Sequence, residues 1–247
     1  MRRLTLVLTA CLIASTALAG GLGDMTDAER LAFRDEVKAF LLDNPEIIVE
    51  AMTVLQTRED AAATERDTAL LQANAAALFQ SPDDWVGGNP EGDITLVEFM
   101  DYQCGFCRKA HAEVNELVKA DGNIRYVVKE FPILGEGSLV SSQFAISVRL
   151  IHGNDAYKAA HNALITLRGD PTIETLTRLA ADLSHDPAPI LEKMGSDEVI
   201  SVIKANHALA EIMAISGTPT FVIKDTLLRG YVPLADMKEI VKDARAG

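Results

Sequence analysis

Two cysteines three positions apart, Cys104 and Cys107, are the residues of this 247-residue chain best suited to covalent chemistry. Thiols at this spacing can exchange with a disulfide or take part in a metal site, and the surrounding chain decides between these. Residues 94–100, just before the pair, are apolar and β-branched and read as a buried strand. A short turn follows, and from Cys104 a polar–apolar pattern runs as a helix towards Lys119. The pair therefore sits where a strand hands over to a helix. A helix start presents unpaired N–H groups and a partial positive charge. That environment stabilises a thiolate, the species that attacks a disulfide. Cys104 at the helix mouth is the expected nucleophile. Cys107, one turn further in, is the expected resolving thiol.

The rest of the cysteine usage points the same way. Residues 1–19 read as a cleavable export signal: Arg2 and Arg3 start it, an apolar run follows, and Ala17-Leu18-Ala19 is a small-x-small cleavage site. The run is too short for a membrane anchor. Cleavage would remove Cys11, the third cysteine, and would take the net charge from -13 to -15. A competing lipoprotein site at residues 8–11 would retain Cys11, but it comes very early in the chain. An acidic chain is a poor ligand for nucleic acid or anionic membrane. An exported chain with one remaining cysteine pair has no disulfide framework, so the pair is there to react. A structural zinc would need two further ligands, and the five histidines are scattered. No metal and no cofactor are expected.

The elements that must position the pair follow in order. Residues 26–42 read as a helix capped by Thr26 and Glu29, with Phe33, Val37, Phe40 and Leu41 at helical spacing. After a break at Asn44-Pro45, a second helix runs from 45 to about 79. Ile47, Ile48, Met52 and Leu55 form its apolar stripe. Ile48, Leu55, Ala62, Ala69 and Ala76 recur every seven residues, which hints at a coiled coil with a weak middle. Residues 20–80 thus read as a helical oligomerisation stalk, because a helix ahead of a complete domain has little else to bury its apolar face against. Residues 81–92 form a linker with a short edge strand at Trp85-Val86. The strand and redox helix are followed by a second, parallel strand at 124–130. Residues 81–137 therefore form the first half of a core, built on a βαβ unit. Residues 138–215 contain five helices and no strand, an inserted helical domain. Residues 216–247 complete the core with a hairpin at 220–230 and a closing helix.

The second informative stretch is Ile215-Ser216-Gly217-Thr218-Pro219-Thr220-Phe221. A proline just before a strand is an ordinary turn residue by itself. Joined to a C-x-x-C at a helix start, it makes the chain resemble the thioredoxin superfamily, and within it the DsbA-like branch. The resemblance implies an α/β thioredoxin fold with an inserted helical domain. It also implies a cis-proline loop, Thr218-Pro219, facing the Cys104-Gly105-Phe106-Cys107 motif. Glu98, six residues before Cys104, would then lie buried below the site as a proton-transfer partner for Cys107. Lys129, late on the neighbouring strand, is a candidate to pair with it.

Gly105-Phe106 between the cysteines is more similar to disulfide isomerases and reductases than to the strongly oxidising DsbA proteins, which carry Pro-His there. Cys104 is accordingly expected to be acidic for a thiol, and its disulfide less oxidising than theirs. The stretch from Phe40 to Glu46 resembles the N-terminal region of ScsC-type proteins (suppressor of copper sensitivity). That similarity implies a periplasmic disulfide isomerase or reductase, oligomeric, a trimer or a dimer. Its partners would be misoxidised or reduced secreted proteins, with a membrane redox partner of the DsbD or ScsB kind to reset it. The alternatives are a DsbA-like dithiol oxidase and a dithiol protein that handles Cu(I), a soft ion suited to thiolates.

Overall fold

The computed structural model describes residues 25–246. The expected export signal and Cys11 lie outside the described residues. The chain divides into two units, with the boundary after Asp60. The first holds α1 (Asp27–Asp43) and the opening half of α2 (Glu46–Ala73). Thr26 caps α1 as its sequence predicts: its hydroxyl accepts from the Glu29 N–H, and the Glu29 carboxylate accepts from the Thr26 N–H at 2.8 Å. The helix stops at Asn44, whose side-chain amide donates to the Phe40 carbonyl at 2.8 Å. Pro45 follows, and α2 begins. No residue of α1 is buried, and Phe33, Phe40, Ile48, Met52 and Leu55 are all exposed.

The second unit begins inside α2. It continues with α3 (Ala75–Phe79), β1 (Trp85–Gly88), β2 (Ile94–Met100), α4 (Gly105–Asp121) and β3 (Ile124–Glu130). Five helices follow without a strand: α5 (Glu136–His152), α6 (Asn154–Ile165), α7 (Ile173–Asp182), α8 (Pro187–Lys193) and α9 (Asp197–Ile212). Then come β4 (Thr220–Ile223), β5 (Thr226–Arg229) and α10 (Leu234–Ala246). The sheet order is β1-β3-β2-β4-β5. Strands β2 and β3 are parallel, joined by α4, and the other pairings are antiparallel. This is the thioredoxin-like α/β fold with its helical insertion.

Because strand side chains alternate, each face of the sheet carries its own core. Leu96, Met100, Tyr126 and Val128 pack with Cys107, Val114 and Leu117 of α4 and with Phe144, Met237 and Val241. On the opposite face, Val97, Phe99, Val127 and Val222 pack with Leu209, Met213, Leu71 and Leu78. Leu71 and Leu78 fall within the stretch expected to be stalk, yet they are core residues of the second unit. Asp67 binds Arg229 of β5 through two hydrogen bonds of 2.6 and 2.9 Å. The apolar pattern of α2 alone does not locate this change of role, which depends on what the helix meets.

The expected Glu98–Lys129 pair does not form. Glu98 stands opposite Val128 in the register, and Lys129 stands opposite Phe99. The two side chains therefore point to opposite faces. Lys129 instead binds Asp84 at 2.5 Å and donates to the Ala77 carbonyl at 2.6 Å, with both charged side chains almost wholly buried. Strand adjacency suggested the pair, and a one-residue difference in register removes it.

Candidate active site

The site begins with Asp101, which ends the strand run and is fully buried. Its carboxylate accepts from the Gln103 N–H at 2.7 Å, and from the N–H groups of Ile133 and Leu134 at 2.8 and 3.1 Å. This one side chain pins the turn that carries the cysteines to the loop after β3. Cys104 then occupies the N-cap of α4, in extended backbone geometry and with no side chain capping the helix. The helix-start N–H groups are thus open to the sulfur, as the sequence reading required. Both cysteines are free thiols.

The Thr218–Pro219 peptide is cis and brings the loop before β4 over the pair. The Cys104 thiol donates to the Thr218 carbonyl at 3.1 Å. Cys104 retains 6% of its surface exposed and Cys107 1%. Gly105 has open space where a Cβ would project. Phe106 is exposed and stacks on Tyr231, with ring centroids 6.4 Å apart. Lys109 lies over the same Tyr231 ring, 3.9 Å from its centroid.

Behind the thiols the environment is dry. Burial, with the nearby Glu98 charge adding to it, pushes the Cys107 thiol far up; a hydrogen bond from the Thr218 side chain opposes this. Glu98 is buried and accepts a short hydrogen bond from the Tyr126 hydroxyl. Its carboxyl is pushed up to about 7, first by burial and then by Glu130, with the Tyr126 bond working the other way. A thiol that resists ionising therefore faces a carboxyl poised near neutrality.

Sequence reasoning missed the second buried carboxyl. Glu130 ends β3 and accepts from Tyr102 at 2.8 Å, Tyr157 at 2.5 Å and Ser142 at 2.7 Å. Burial pushes it to about 7 despite those three donors. The Tyr102 hydroxyl also meets Nδ1 of His161 at 3.1 Å. Burial and the neighbouring His111 hold that imidazole neutral, down to about 3. An acidic residue ending an apolar strand was a visible signal for Glu130. Tyr157 and His161 come from the insertion, and nothing in their local pattern links them to it. The structure thus brings together Cys104, Cys107, Thr218, Pro219 and Glu98 around one strand–helix junction, with Gly105 and Phe106 on its outer side.

The fold and this site are those of the thioredoxin-like thiol–disulfide oxidoreductases. Residues 80–243 match the family model described as thioredoxin, and residues 29–62 match the N-terminal domain of the copper resistance protein ScsC. A thioredoxin-like oxidoreductase from Silicibacter pomeroyi is 40% identical, with a TM-score of 0.66 over 70% of this chain and 98% of that one. BcfH of Salmonella enterica Typhimurium is 27% identical, with a TM-score of 0.74 over 88% of this chain and 96% of that one. Proteus mirabilis ScsC in a transitional conformation is 25% identical, with a TM-score of 0.66 over 91% and 98%. The chain spans about a quarter of the length of the Na(+)/H(+) antiporter NhaA proteins that it matches first among curated relatives, such as NhaA 1 of Salinispora arenicola at 27% identity. The chain belongs to the thioredoxin family.

Proposed function

We propose that this chain is a periplasmic protein disulfide isomerase or reductase, in which Cys104 attacks and Cys107 resolves. One observation carries the assignment: the Cys104 sulfur lies at an uncapped helix start under the Thr218 carbonyl, with Cys107 buried one turn behind it. The Cys104 thiolate attacks a disulfide in a secreted polypeptide. A new S–S bond joins the two chains, and the other substrate sulfur leaves as a thiolate. In isomerisation a different thiolate of the same substrate attacks the substrate sulfur of the mixed disulfide, forms a new pairing and regenerates free Cys104. In reduction Cys107 attacks Cys104, releases the substrate as a dithiol and leaves a Cys104–Cys107 disulfide. The proton that Cys107 must lose passes to Glu98, whose carboxyl near 7 makes it a usable acceptor at neutral pH. A membrane protein of the DsbD or ScsB kind would return the oxidised site to the dithiol.

The N-terminal helices support the isomerase reading over a plain dithiol oxidase. Most large apolar side chains of α1 and α2 between Leu31 and Leu55, Phe40, Met52 and Leu55 among them, are 40 to 69% exposed. Burying each contributes roughly 1.5 to 3 kcal/mol before association costs. We assign them to chain-to-chain contact in a homo-oligomer, a trimer by the ScsC likeness. Linked sites keep a second thiol at high local concentration while the first holds a mixed disulfide. The test of the site is trapping: Cys107→Ala should accumulate mixed disulfides with client proteins, and Cys104→Ala almost none. Equal trapping by both variants would remove the assignment. Rates on scrambled ribonuclease and on a reduced substrate separate isomerase from oxidase.

A further inference from the structure

At Gln103, the residue next to Cys104, opens a groove of about 550 Å³. One wall is Gln103, the residue before Cys104, with Leu134 of the loop after β3; the other is the segment Asp170 to Ile173 that leads into α7. Leu134 and Ile173 are 53% and 57% exposed, and both line this groove. The first wall is tied to the chemistry. Asp101 binds the N–H groups of both Gln103 and Leu134, which fixes this wall to the turn that carries Cys104. Gly137 forms part of the floor; a Cβ there would meet Pro171 at 3.4 Å and Gln103 at 3.7 Å, so a larger side chain would fill the space between the walls. The charged side chains lining the groove, Glu136 and Asp170, are both acidic.

We propose that this groove is a specificity subsite for the client polypeptide held by Cys104, which selects an apolar side chain and a basic one close to the reacting cysteine. The occupant follows from continuity and charge. A segment disulfide-bonded to Cys104 starts at Gln103, and an extended chain advances about 3.3 to 3.6 Å per residue. A side chain a few residues from the client cysteine therefore reaches Leu134 and Ile173. Its neighbour then meets Glu136 and Asp170, which favour Lys or Arg and disfavour Asp or Glu. This inference rests on the exchange reading for Cys104, and its test separates the two.

The probes are single-cysteine peptides, each carrying thionitrobenzoate in a mixed disulfide. One set has Leu and Arg two and three residues from the cysteine, on its N-terminal or C-terminal side. A matched set has Ser and Glu there. Attack by Cys104 forms the protein–peptide disulfide and releases coloured thionitrobenzoate. The reduced full chain should react about ten-fold faster with a Leu/Arg peptide than with its matched Ser/Glu peptide, the scale of one side chain in an apolar pocket. A Leu134→Ser and Ile173→Ser double variant should lose most of that preference, and Asp170→Lys should reverse its charge component. Gly137→Leu should block the groove. In the Leu134, Ile173 and Gly137 variants the rate with the small free disulfide of thionitrobenzoate should stay unchanged, which also shows that the site is intact; for Asp170→Lys the matching control is the uncharged disulfide of mercaptoethanol. Equal rates for the two peptide sets, or a preference that survives in the double variant, would overturn the proposal. So would a drop in solution mass in that variant, because the groove would then be a contact between copies. Failure of the unmodified chain to react even with the small disulfide would instead strike the exchange reading itself.

Discussion

Glu98→Gln is the perturbation that isolates the buried carboxyl. In the folded chain this group is held at about 7, against an ordinary 4.5, because burial penalises its charged form. At about 1.4 kcal/mol per pH unit of displacement, ionising it inside the fold costs about 3 kcal/mol more than ionising it in the unfolded chain. Between about pH 4.5 and 7 the unfolded chain has released this proton and the folded chain has kept it. The contribution of the neutral acid is therefore complete below about 4.5 and is lost as pH rises through about 7. Glutamine keeps an acceptor for the Tyr126 hydroxyl and carries no proton to lose. The variant should thus gain on the parent as pH rises from about 4.5 to 8, by about 2 to 3 kcal/mol. Glu130, relieved of its neighbour, ionises more readily in the variant, which adds to the gain. Urea unfolding of the reduced protein at several pH values gives the number. Trp85 reports it, being the one tryptophan of the chain and stacked on Tyr157 in the core. The same variant should prolong mixed disulfides with client proteins above about pH 7, where Cys107 has lost its proton acceptor, with little effect at pH 5. Parallel stability curves for the two proteins would refute the placement of Glu98 as a neutral buried acid.

Thr218→Val removes the side-chain hydroxyl that eases ionisation of Cys107; resolution of mixed disulfides should slow and shift to higher pH, and an unchanged pH profile would mean the hydroxyl does not act on that sulfur. Lys129→Met should cost about 3 to 5 kcal/mol by leaving Asp84 buried without its cation, whereas the same change combined with Asp84→Asn should recover much of the loss; chemical unfolding of both variants decides it. Leu71→Ala should destabilise the second unit by about 2 to 5 kcal/mol, and Leu55→Ala, on the exposed face of α2, should leave that unit's unfolding unchanged while weakening self-association. Deleting residues 25–60 should give a monomer by sedimentation that retains a reactive Cys104, loses isomerase activity and keeps dithiol oxidation; a monomeric full-length chain at micromolar concentration would contradict the role given to the helices.

Much of this protein is settled by local pattern. The β-branched run before Cys104, the helix after it and the helix stop at Gly122, in left-handed geometry with φ 72°, follow from residue types and spacing. The insertion is legible because its helices are punctuated by glycine and proline and free of strand-like alternation. The pairing of Cys104 with Thr218 across 114 positions was legible only through resemblance, since no local signal links a thiol to a distant turn. What the sequence could not decide is which face each buried charge occupies. Glu98 and Lys129 lie on adjacent strands, and only the register assigns one to the thiols and the other to Asp84 on the far side. Likewise α2 has one continuous helical pattern. It changes from an exposed apolar arm to a core helix where Leu71 meets the sheet, and that contact is a property of the tertiary fold. Side-chain type states what a residue can do; the register and the neighbours brought in from distant segments determine which of those things it does.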